Sequence, residues 1–503
     1  MQFSIGAVVS VCDFCQSAIA RTDKSVEDYG KVADLVETSS RLRRGLTGTF
    51  NKKHFTVAGH VQYRHPAGGV WDEWYLAFPG GKWGWLAEAQ GKTYLMFQRK
   101  LTSQITLPSF DDMDVGQVVK LGDSEFTVME RSTAESLAAE GEIPWAFRSG
   151  ADHRFADLEG PDGVFATFEY SREPSAYVGK QISLDDLGLQ GQGWELEDED
   201  IKVDASNLNC PNCGGPLSLR APDQTLRVTC QNCNSLLDAD NGKLTYLKTI
   251  KKKEQIRPTL PLGKEGTLFG TKYTVIGFLR RYATYAGKMY PWDEYLLYEP
   301  NVGFRWLVYN DRHWSFVAPT KQQIKSRPQS TKQITYDGDS FRLYDRGTAY
   351  VRYVLGEFYW KVEAGEKVRT ADFIAPPRML SFEWSDTEKS QEMIASEGVY
   401  VPTEMIEKSF GLKNLPRSFS VGVIQPGPSF GAGVFLLWPA FIVVLMIIYG
   451  AFAKTGASRG SDPWLCFYGI LFVSAIPAAI IGYRIAFEMK RWEDSDYSPY
   501  ATE

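Results

Sequence analysis

Hydrophobic and polar residues alternate in short stretches through most of the chain. Stretches such as HFTVAGHVQYR, EWYLAFPGGKWGWL and YTVIGFLRRY are rich in Val, Tyr, Phe, Trp and Thr, which favour strands. Turn signals such as Pro79-Gly80-Gly81 and Asp337-Gly338-Asp339 separate them. Short strands at about ten-residue spacing predict a mainly β protein built on a small barrel or sandwich. One helix is expected over Ser132–Glu140, where strong helix formers precede Gly141.

Two apolar runs near the C-terminus break this pattern. Residues 433–452 and 464–483 each form a run of twenty residues without a charge. At about 1.5 Å per residue, each helix would be about 30 Å long, which matches the hydrocarbon core of a bilayer. The runs predict two transmembrane helices, in which Pro439 and Pro477 are tolerated. The alternative is a pair of buried core helices, although core helices rarely stay free of charge over this length.

The predicted membrane segments form a hairpin, because only eleven residues (453–463) separate them. Three basic residues precede the first segment and three follow the second, against two in the loop. This bias favours a cytoplasmic location for both flanks, including the tail at 484–503. Residues 1–11 lack the basic start and long apolar stretch of a signal peptide. We therefore expect a multi-pass protein of the inner, cytoplasmic membrane, with soluble domains facing the cytoplasm.

The sequence contains an internal repeat. Glycine, threonine and valine residues between 45 and 59 recur 218 positions later, between 263 and 277. The tetrapeptide WDEW at 71–74 recurs as WDEY at 292–295, and several residues between 126 and 145 recur 215 positions later. Small changes of offset are what insertions and deletions in loops produce. The pattern predicts a duplicated β domain at 40–185 and 258–395, with an acidic linker at 186–205 and a connector at 396–429.

Four cysteines between the two copies have the spacing of a zinc ribbon. Cys210 and Cys213 form one C-x-x-C pair, and Cys230 and Cys233 form another after sixteen residues. Each pair can direct two thiolates at one metal ion, so two pairs complete a tetrahedron. We expect a structural zinc ribbon at 206–247, because four cysteine ligands leave no open position for catalysis. A redox dithiol pair, or cysteines without a metal, is the alternative.

The repeat also reaches two cysteines at the N-terminus. Subtracting 218 from 230 and 233 gives 12 and 15, which are Cys12 and Cys15. Their partners would fall before Met1, so residues 1–22 are predicted to be an incomplete zinc ribbon. Either the true start lies upstream, or a truncation removed the other half, or the half-site binds nothing or binds zinc with another chain. We favour the first of these.

Several motifs extend over nearly the whole chain. They are CPNCGGPL followed by TCQNC, LRRGLTGTF, the pair VWDEWYLAF and PWDEYLLYE, GWLAEAQG, and RWEDSDYSPY after the second apolar run. These motifs resemble the bacterial family DUF4178, a domain of unknown function. The resemblance implies a membrane-associated protein, and the genes near family members point to membrane stress or envelope maintenance. The family has no established activity, so the resemblance implies no catalytic residues.

Composition and charge exclude some classes of function. The 503 residues carry a net charge of −6 and 44% hydrophobic residues, so wholesale disorder is excluded and coating of nucleic acid is disfavoured. Seven cysteines are too few for a disulfide scaffold. The five histidines show no metal spacing, and the phosphate-binding, dinucleotide-binding and hydrolase motifs are missing. The sequence identifies no small-molecule ligand.

Two triplets are candidates for a binding groove, Trp71-Asp72-Glu73 and Trp292-Asp293-Glu294. Carboxylate pairs can do acid–base or metal chemistry. Adjacent residues of a strand point to opposite faces, however, so the Asp and Glu of one triplet should not converge. Two interpretations remain: a turn aspartate before a strand, or a Glu from each copy lining a groove. Most of the nearby tryptophans and tyrosines should be core, with the remainder free to contact a partner.

Together these features favour a membrane-anchored cytoplasmic interaction or scaffold protein without catalytic activity. Its partners would be the lipid bilayer and a protein, because two linked modules raise the effective concentration of a multivalent partner. The alternative is a membrane-tethered enzyme that uses the acidic residues of the β domains. The acidic balance and the predicted membrane anchor disfavour a nucleic-acid partner.

Overall fold

The computed structural model describes residues 7–12, 17–21, 26–31, 35–36, 38, 40–89, 92–102, 105–191, 194, 208–217, 219–221, 224–230, 232–240, 243–249, 256–387, 389–417, 432–454, 463–493 and 495. This part of the chain is mainly β, with 28 strands and three α-helices. The strands build two barrels, each joined to a small sheet that precedes it in the chain. Two long helices near the C-terminus belong to a separate unit.

Thirteen strands build the first copy of the repeat and the small sheet before it. They are β1 (Val9–Val11), β2 (Ser17–Arg21), β3 (Val26–Lys31), β4 (Thr47–Phe50), β5 (Lys53–Arg64), β6 (Val70–Phe78), β7 (Lys82–Ala89), β8 (Lys92–Arg99), β9 (Val118–Leu121), β10 (Ser124–Ile143), β11 (Asp152–Glu159), β12 (Val164–Glu169) and β13 (Ser175–Gln181). Antiparallel pairing runs from β5 through β6, β7, β8, β13, β12, β11 and β10 and returns to β5. The first copy is therefore a closed barrel of eight strands.

Fifteen strands and one short helix build the second half. They are β14 (Leu208–Asn209), β15 (Pro216–Leu217), β16 (Arg227–Thr229), β17 (Ser235–Asp240), β18 (Lys243–Thr249), β19 (Glu265–Leu268), β20 (Thr271–Tyr285), β21 (Lys288–Glu299), β22 (Gly303–Asn310), β23 (His313–Pro319), β24 (Gln333–Tyr336), β25 (Asp339–Phe358), β26 (Lys367–Ala375), β27 (Arg378–Asp386), β28 (Ser390–Val401) and α1 (Thr403–Phe410). Pairing runs from β20 through β21, β22, β23, β28 and β27 to β26, and β25 pairs with β20. Hydrogen bonds of 2.8 Å from Val351 N to the Glu366 carbonyl and from Gly365 N to the Val351 carbonyl connect β25 to the start of β26.

The duplication includes the small sheet before each barrel. Strands β1, β2 and β3 lie about 218 positions before β16, β17 and β18 and have the same antiparallel order. Val9 of β1 lies opposite Ile143 of β10, and Arg227 of β16 lies opposite Phe358 of β25. Each small sheet is therefore joined to its own barrel by pairing with the end of one long strand. This strand is β10 in the first copy and β25 in the second.

Paired glycines allow each barrel to close. Gly141 of β10 has a φ of +72°, and a Cβ atom there would lie 2.3 Å from the Ala58 carbonyl oxygen. A Cβ atom on Gly59, opposite Gly141, would lie 2.0 Å from the Glu142 carbonyl oxygen. Gly277 and Gly356 occupy the equivalent positions of the second barrel. A side chain at either position would separate the two strands, so the close crossing requires glycine.

The helix predicted over Ser132–Glu140 is wrong, because this segment lies inside strand β10. Residues of the segment pair with β11 on one side and with β5 on the other. Ala134, Ala138 and Ala139 are buried, where larger side chains would not fit against the neighbouring strands. Ladder hydrogen bonds and burial thus outweigh a helix preference of a few tenths of a kcal/mol per residue.

The edges of both copies differ from the predicted bounds. The second copy continues past 395, because β28 runs to Val401 and α1 packs Ile406 and Phe410 into the core. At the start of the predicted linker, Leu187 and Leu189 are buried in the first copy, and Gln190 bridges to Thr47. The acidic run at 195–200 lies outside the described residues.

The two barrels contact each other through a short pairing of β10 with β28. Glu130, Arg131 and Ser132 lie opposite Glu392, Gln391 and Ser390. Nearby, the Thr127 hydroxyl donates to the Ile324 carbonyl at 3.1 Å, and the Gln323 amide donates to the Glu125 carbonyl at 3.0 Å. The barrels are therefore held together by backbone pairing and by side-chain hydrogen bonds.

The C-terminal unit contains two helices, α2 (Ala432–Lys454) and α3 (Pro463–Arg491). Pro439 and Pro477 lie within them, and the Trp438 indole donates to the Ser474 hydroxyl at 3.1 Å. Within the described residues, one segment, Phe467–Arg491, is long and apolar enough to cross a membrane, and none of its apolar window is buried. The apolar part of α2, Leu437–Ala451, is shorter. The structure thus provides one candidate membrane helix, where the sequence predicted two.

Candidate functional site

Four cysteine thiols converge in the small domain before the second barrel. The Sγ atoms of Cys210, Cys213, Cys230 and Cys233 all lie within 4.8 Å of one another. The Cys210–Cys233 and Cys213–Cys230 sulfur separations are 3.7 and 3.8 Å. A tetrahedral ion with metal–sulfur bonds of about 2.3 Å needs sulfur separations of about 3.8 Å. The four thiols therefore fit a tetrahedral metal ion, whereas a disulfide would need a separation of about 2.0 Å.

The backbone around each cysteine pair forms a tight turn. The Gly214 N–H donates to the Cys210 carbonyl, and the Asn234 N–H donates to the Cys230 carbonyl, both at 2.8 Å. Gly214 and Asn234 have positive φ angles of 71° and 59°, a conformation that glycine and asparagine tolerate best. The turns direct both thiols of each pair at one point, which is the geometry expected from the spacing.

Burial and hydrogen bonding act in opposite directions on the cysteine thiols, because burial raises the pKa of Cys230 to about 12. The Gly215 N–H donates to the Cys213 sulfur at 3.4 Å, and the Asn212 amide lies 3.7 Å from the Cys233 sulfur. Burial alone would raise the pKa of the Cys233 thiol. Hydrogen bonds with Ser235 and with other polar groups around the sulfur atom instead lower this pKa to about 6. The thiolate is the form that binds metal.

The N-terminal cysteines are only partly described. The Cys12 N–H donates to the Ser17 carbonyl at 3.0 Å, as the Cys230 N–H does to the Ser235 carbonyl at 2.8 Å. Cys12 therefore occupies the position that Cys230 has in the ribbon. Cys15 lies outside the described residues, so the predicted half-site stays a prediction.

The two Trp-Asp-Glu triplets lie inside strands, not at turns. Asp72 and Glu73 belong to β6, and Asp293 and Glu294 belong to β21. As expected for neighbours in a strand, the two acids of each triplet have different partners on opposite faces. Each carboxylate interacts with side chains of its own barrel.

Asp72 faces away from the interior of the first barrel. Its Oδ1 atom lies 2.7 Å from His60 Nε2 and accepts a hydrogen bond of 2.9 Å from Gln62. The His60 ring stacks on Trp74 with 3.7 Å between ring centres. Burial opposes both charges, yet the contact raises the pKa of His60 and lowers the pKa of Asp72. The pair is therefore a buried ion pair.

Glu73 points into the first barrel. It accepts hydrogen bonds from the Tyr75 hydroxyl at 2.7 Å and the Trp71 indole at 3.1 Å. Glu169, from the opposite wall, lies 3.1 Å from His153. Burial, with the nearby charge of Glu169, holds the pKa of Glu73 well above its usual range. The interior of this barrel therefore contains a buried carboxyl group without a basic partner among the described residues.

The second barrel has the same arrangement with an arginine added. The Arg281 guanidinium lies 2.6 Å from Glu383 and 3.2 Å from Glu294, and the Trp292 indole donates to Glu294 at 2.6 Å. On the other face, Arg280 forms two hydrogen bonds of 2.5 and 2.7 Å to Asp293. Sequence reasoning missed Arg281 and Glu383, although Glu383 matches Glu169 at a repeat offset of 214.

The nine clustered aromatic residues divide between buried and partly buried positions. Trp74, Trp85, Tyr295 and Trp314 are buried. Trp71, Trp83, Tyr290, Trp292 and Trp306 are partly buried. The tryptophans therefore serve mainly to fill the two barrels.

The fold and the site define a tandem-barrel protein with a four-cysteine cluster and one membrane-length helix. The sequence model of DUF4178, a domain of unknown function, matches residues 43–184 and 261–403, which is more than half of the chain. The chain belongs to the DUF4178 family, and the two matched regions correspond to the two barrels.

Comparisons with individual proteins add little. No curated protein matches the chain. A solved structure of the Pseudomonas aeruginosa MucA/MucB complex is similar at 10% identity, covering 75% of this chain and 95% of that one, with a TM-score of 0.11. This score is too low to indicate a shared fold.

Proposed function

We propose that the protein is a membrane-anchored interaction protein that holds its two barrels at the cytoplasmic surface of the inner membrane. The observation that carries this proposal is helix α3. Its segment Phe467–Arg491 has the length and composition of a membrane span, and side chains such as Phe472, Ile476 and Ile480 are exposed. Exposed apolar residues in this number are stable in lipid and unfavourable in water.

A two-helix hairpin is the form of anchor that the proposal favours. The apolar part of α2 reaches only from Leu437 to Ala451, and it lies beside α3 through the Trp438–Ser474 hydrogen bond. With α2 crossing as well, both flanks lie on one side, and the basic residues flanking the helices favour the cytoplasm. The partners are then the bilayer and a protein that contacts both barrels.

Zinc is the ion proposed for the four-cysteine cluster, in a structural role. A tetrahedral set of thiolates is the usual ligand set of structural zinc. The ribbon is fixed to the second barrel, because the Glu357 carboxylate accepts hydrogen bonds from the N–H groups of Arg220 and Ala221 at 2.7 and 3.2 Å. Four cysteine ligands would fill every coordination position of the zinc ion. The metal would then stabilise the fold and could not bind a substrate.

Elemental analysis of the purified full chain tests the metal. We expect about one zinc per chain, and none after Cys213→Ser. Cys466→Ser, a change outside both ribbons, serves as the matched control and should retain the zinc. Absence of zinc from the wild-type chain, or another metal in stoichiometric amount, would contradict the proposal.

The membrane anchor is tested by fractionation and by protease access. After alkaline carbonate washing, the chain should remain in the membrane pellet, and replacing Ile476 and Ile480 with arginine should move it to the supernatant. Trypsin should cleave the barrels in inverted vesicles but not in intact spheroplasts. Recovery of the wild-type chain in the supernatant would refute the anchor, and cleavage in spheroplasts would refute the orientation.

Protein association is tested separately by crosslinking in the membrane. Purification after crosslinking should return one partner in about stoichiometric amount, and a repeated lack of such a partner would argue against a scaffold role.

The alternative of a membrane-tethered enzyme requires acids that converge on an open site. Asp72, Asp293 and Glu294 are each held by a basic side chain, so Glu73 is the one triplet acid left for that role.

A further inference from the structure

The hairpin of β20 and β21 is longer than the equivalent hairpin of the first barrel. In the first barrel, the pairing of β5 with β6 ends at Arg64 and Val70. The equivalent pair of the second barrel is Tyr282 with Pro291, and three further pairs follow before the turn at 286–287. At about 3.3 Å per residue, these pairs extend the hairpin by about 10 Å. Residues 283–290 are called the hairpin tip below.

In the described structure, the hairpin tip pairs with no third strand. Strand β25 accompanies β20 only as far as Tyr350, which lies opposite Tyr282. The three pairs of the tip are formed between β20 and β21 alone. A hairpin of two strands is marginally stable in water by itself. A surface that packs against the tip would therefore stabilise it.

The side chains of the hairpin tip are small, apolar, aromatic or basic. Met289 is 48% exposed, Lys288 is exposed, and Tyr285 and Tyr290 are half-buried. The Lys288 ammonium lies 4.8 Å from the centre of the Tyr290 ring. No acidic residue occurs between positions 281 and 292. Tyrosine and lysine combine an apolar body with a polar end, which suits the membrane–water interface, and negatively charged lipids attract lysine.

The equivalent turn of the first barrel is covered by the part of the chain that follows it. A Cβ atom on Gly68 would lie 2.8 Å from Lys361 Cε, and one on Gly69 would lie 3.3 Å from Leu226 Cδ1. The turn between β5 and β6 thus packs on the ribbon and on the second barrel. After the second barrel, the chain continues into the apolar helices α2 and α3 and not into another ribbon and barrel. A different surface is therefore needed to cover the second hairpin.

The hairpin tip lies at the end of the second barrel from which the chain leaves for α2. Antiparallel pairing places the β20–β21 turn and the β22–β23 turn at this end, and Arg312 of the latter donates to the Arg417 carbonyl at 3.4 Å. Fourteen residues, 418–431, separate Arg417 from α2 and can span at most about 50 Å. The first barrel pairs with the start of β28, at the opposite end. The connection therefore allows the end with the tip to reach the bilayer.

We propose that the hairpin tip contacts the lipid bilayer, with Tyr285, Met289 and Tyr290 among the lipid head groups and Lys288 beside negatively charged phospholipids. This inference rests on the proposed membrane anchor, which keeps the barrel near the lipid surface. Neighbouring residues of a strand point to opposite faces, so Met289 and Tyr290 project from different sides and the tip enters the head groups end-on. The second barrel thus has its own membrane contact, in addition to the anchor.

Photocrosslinking of the full chain in vesicles tests this contact. The photoreactive residue p-benzoylphenylalanine replaces Met289 in one variant and Phe269 in the control. Phe269 is 56% exposed and lies in the β19–β20 turn, at the opposite end of β20. The vesicles contain phosphatidylcholine and phosphatidylglycerol, and mass spectrometry detects lipid attached to the protein. Lipid adducts are expected at position 289 and should be absent at position 269.

Charge reversal tests the preference for negatively charged lipid. With the probe at position 289, Lys288→Glu should lower the lipid yield at least about fivefold in vesicles that contain phosphatidylglycerol, the effect of one charge near an anionic surface. The yield should change little in vesicles of phosphatidylcholine alone. Lys272→Glu is the matched control, because Lys272 is an exposed lysine at the opposite end of β20, and it should leave the yield unchanged. Circular dichroism checks that each variant is folded.

Flotation of the same vesicles separates this inference from the membrane anchor. A chain that does not float with the vesicles refutes the anchor and the tip contact with it. The tip contact alone is refuted if the chain floats but gives no lipid adduct at position 289, or gives equal yields at positions 289 and 269. A crosslink from position 289 to a second copy of the chain in place of lipid, or a Lys288→Glu variant without effect, refutes it as well.

Discussion

At the scale of single residues, the identity of the partner decides how a buried carboxyl group behaves. Glu73 and Glu294 occupy equivalent positions and accept the same hydrogen bond from a tryptophan indole. Only Glu294 has an arginine beside it, because Arg281 stands where the first copy has Tyr63. Equivalent backbone positions therefore hold a glutamate with an arginine partner in the second barrel and a glutamate without one in the first.

Replacing Arg281 with leucine should destabilise the protein. The change leaves the buried Glu294 without its counter-charge, and breaking a buried pair in this way typically costs about 3–5 kcal/mol. Denaturant unfolding of the full chain in micelles measures the difference. Lys272→Gln is the control, because Lys272 forms a solvent-exposed pair with Glu265 that should contribute little to stability. Equal effects of the two substitutions would show that the buried triad does not stabilise the fold.

At the scale of secondary-structure elements, the pairing of β10 with β28 places two acids face to face. Glu130 lies opposite Glu392, and His65 Nε2 lies 2.8 Å from Glu130. Burial, with the charge of Glu130, raises the pKa of Glu392 to about 7. The element that joins the two barrels is therefore sensitive to pH near neutrality.

Glu392→Gln should stabilise the protein at and above pH 7. The raised pKa of Glu392 in the folded state means that ionisation opposes folding. This cost is absent below the ordinary value of 4.5, grows as the pH rises, and is complete above about 7. A shift from 4.5 to about 7 corresponds to roughly 3 kcal/mol, and this shift already includes the attraction of His65.

Melting temperatures of the two proteins at several pH values check this prediction. The difference in melting temperature between Glu392→Gln and the wild type should be near zero at pH 4.5 and should increase up to about pH 7. Glu363→Gln, a change at an exposed glutamate, should show no such increase. A difference that stays constant with pH would mean that Glu392 does not titrate in this range.

At the scale of the whole molecule, the ribbon that contains the four-cysteine cluster is joined to the second barrel. Strand β16 of the ribbon continues the sheet of β25, and Glu357 of β25 holds the N–H groups of Arg220 and Ala221. The first barrel has no such contact with this cluster among the described residues. Loss of the metal should therefore affect the two barrels unequally.

Hydrogen exchange after treatment with a zinc chelator measures this asymmetry. Exchange should become faster in the described residues between 208 and 240 and at the end of β25, while β5 to β8 keep their protection. The same chelator saturated with zinc is the control. Uniform acceleration across both barrels, or no change anywhere, would contradict the proposed structural role of the metal.

The internal repeat allowed much of the fold to be predicted from the sequence. Residues at positions where the two copies differ were not predicted. The offset of 218 placed Cys12 at the position that corresponds to Cys230, and cysteine spacing alone located the four-cysteine cluster. The alanine-rich segment of β10 was misread, because local preference carries no information about strands that pair from both sides. Arg281 was missed for a different reason. A search for repeats finds positions at which the two copies have the same residue, and the first copy has Tyr63 where the second has Arg281.

Closure of both barrels has a consequence for self-association. A closed ring leaves no unpaired strand edge, and the strands that pair on one side only in the barrels, β4, β9, β19 and β24, have four residues each. The longest such edge in the described structure is β18, seven residues that pair only with β17 and expose Leu247 and Lys248. Strand addition by another copy of the chain or by a misfolded chain would therefore begin at the ribbon, and the charge of Lys248 would oppose it.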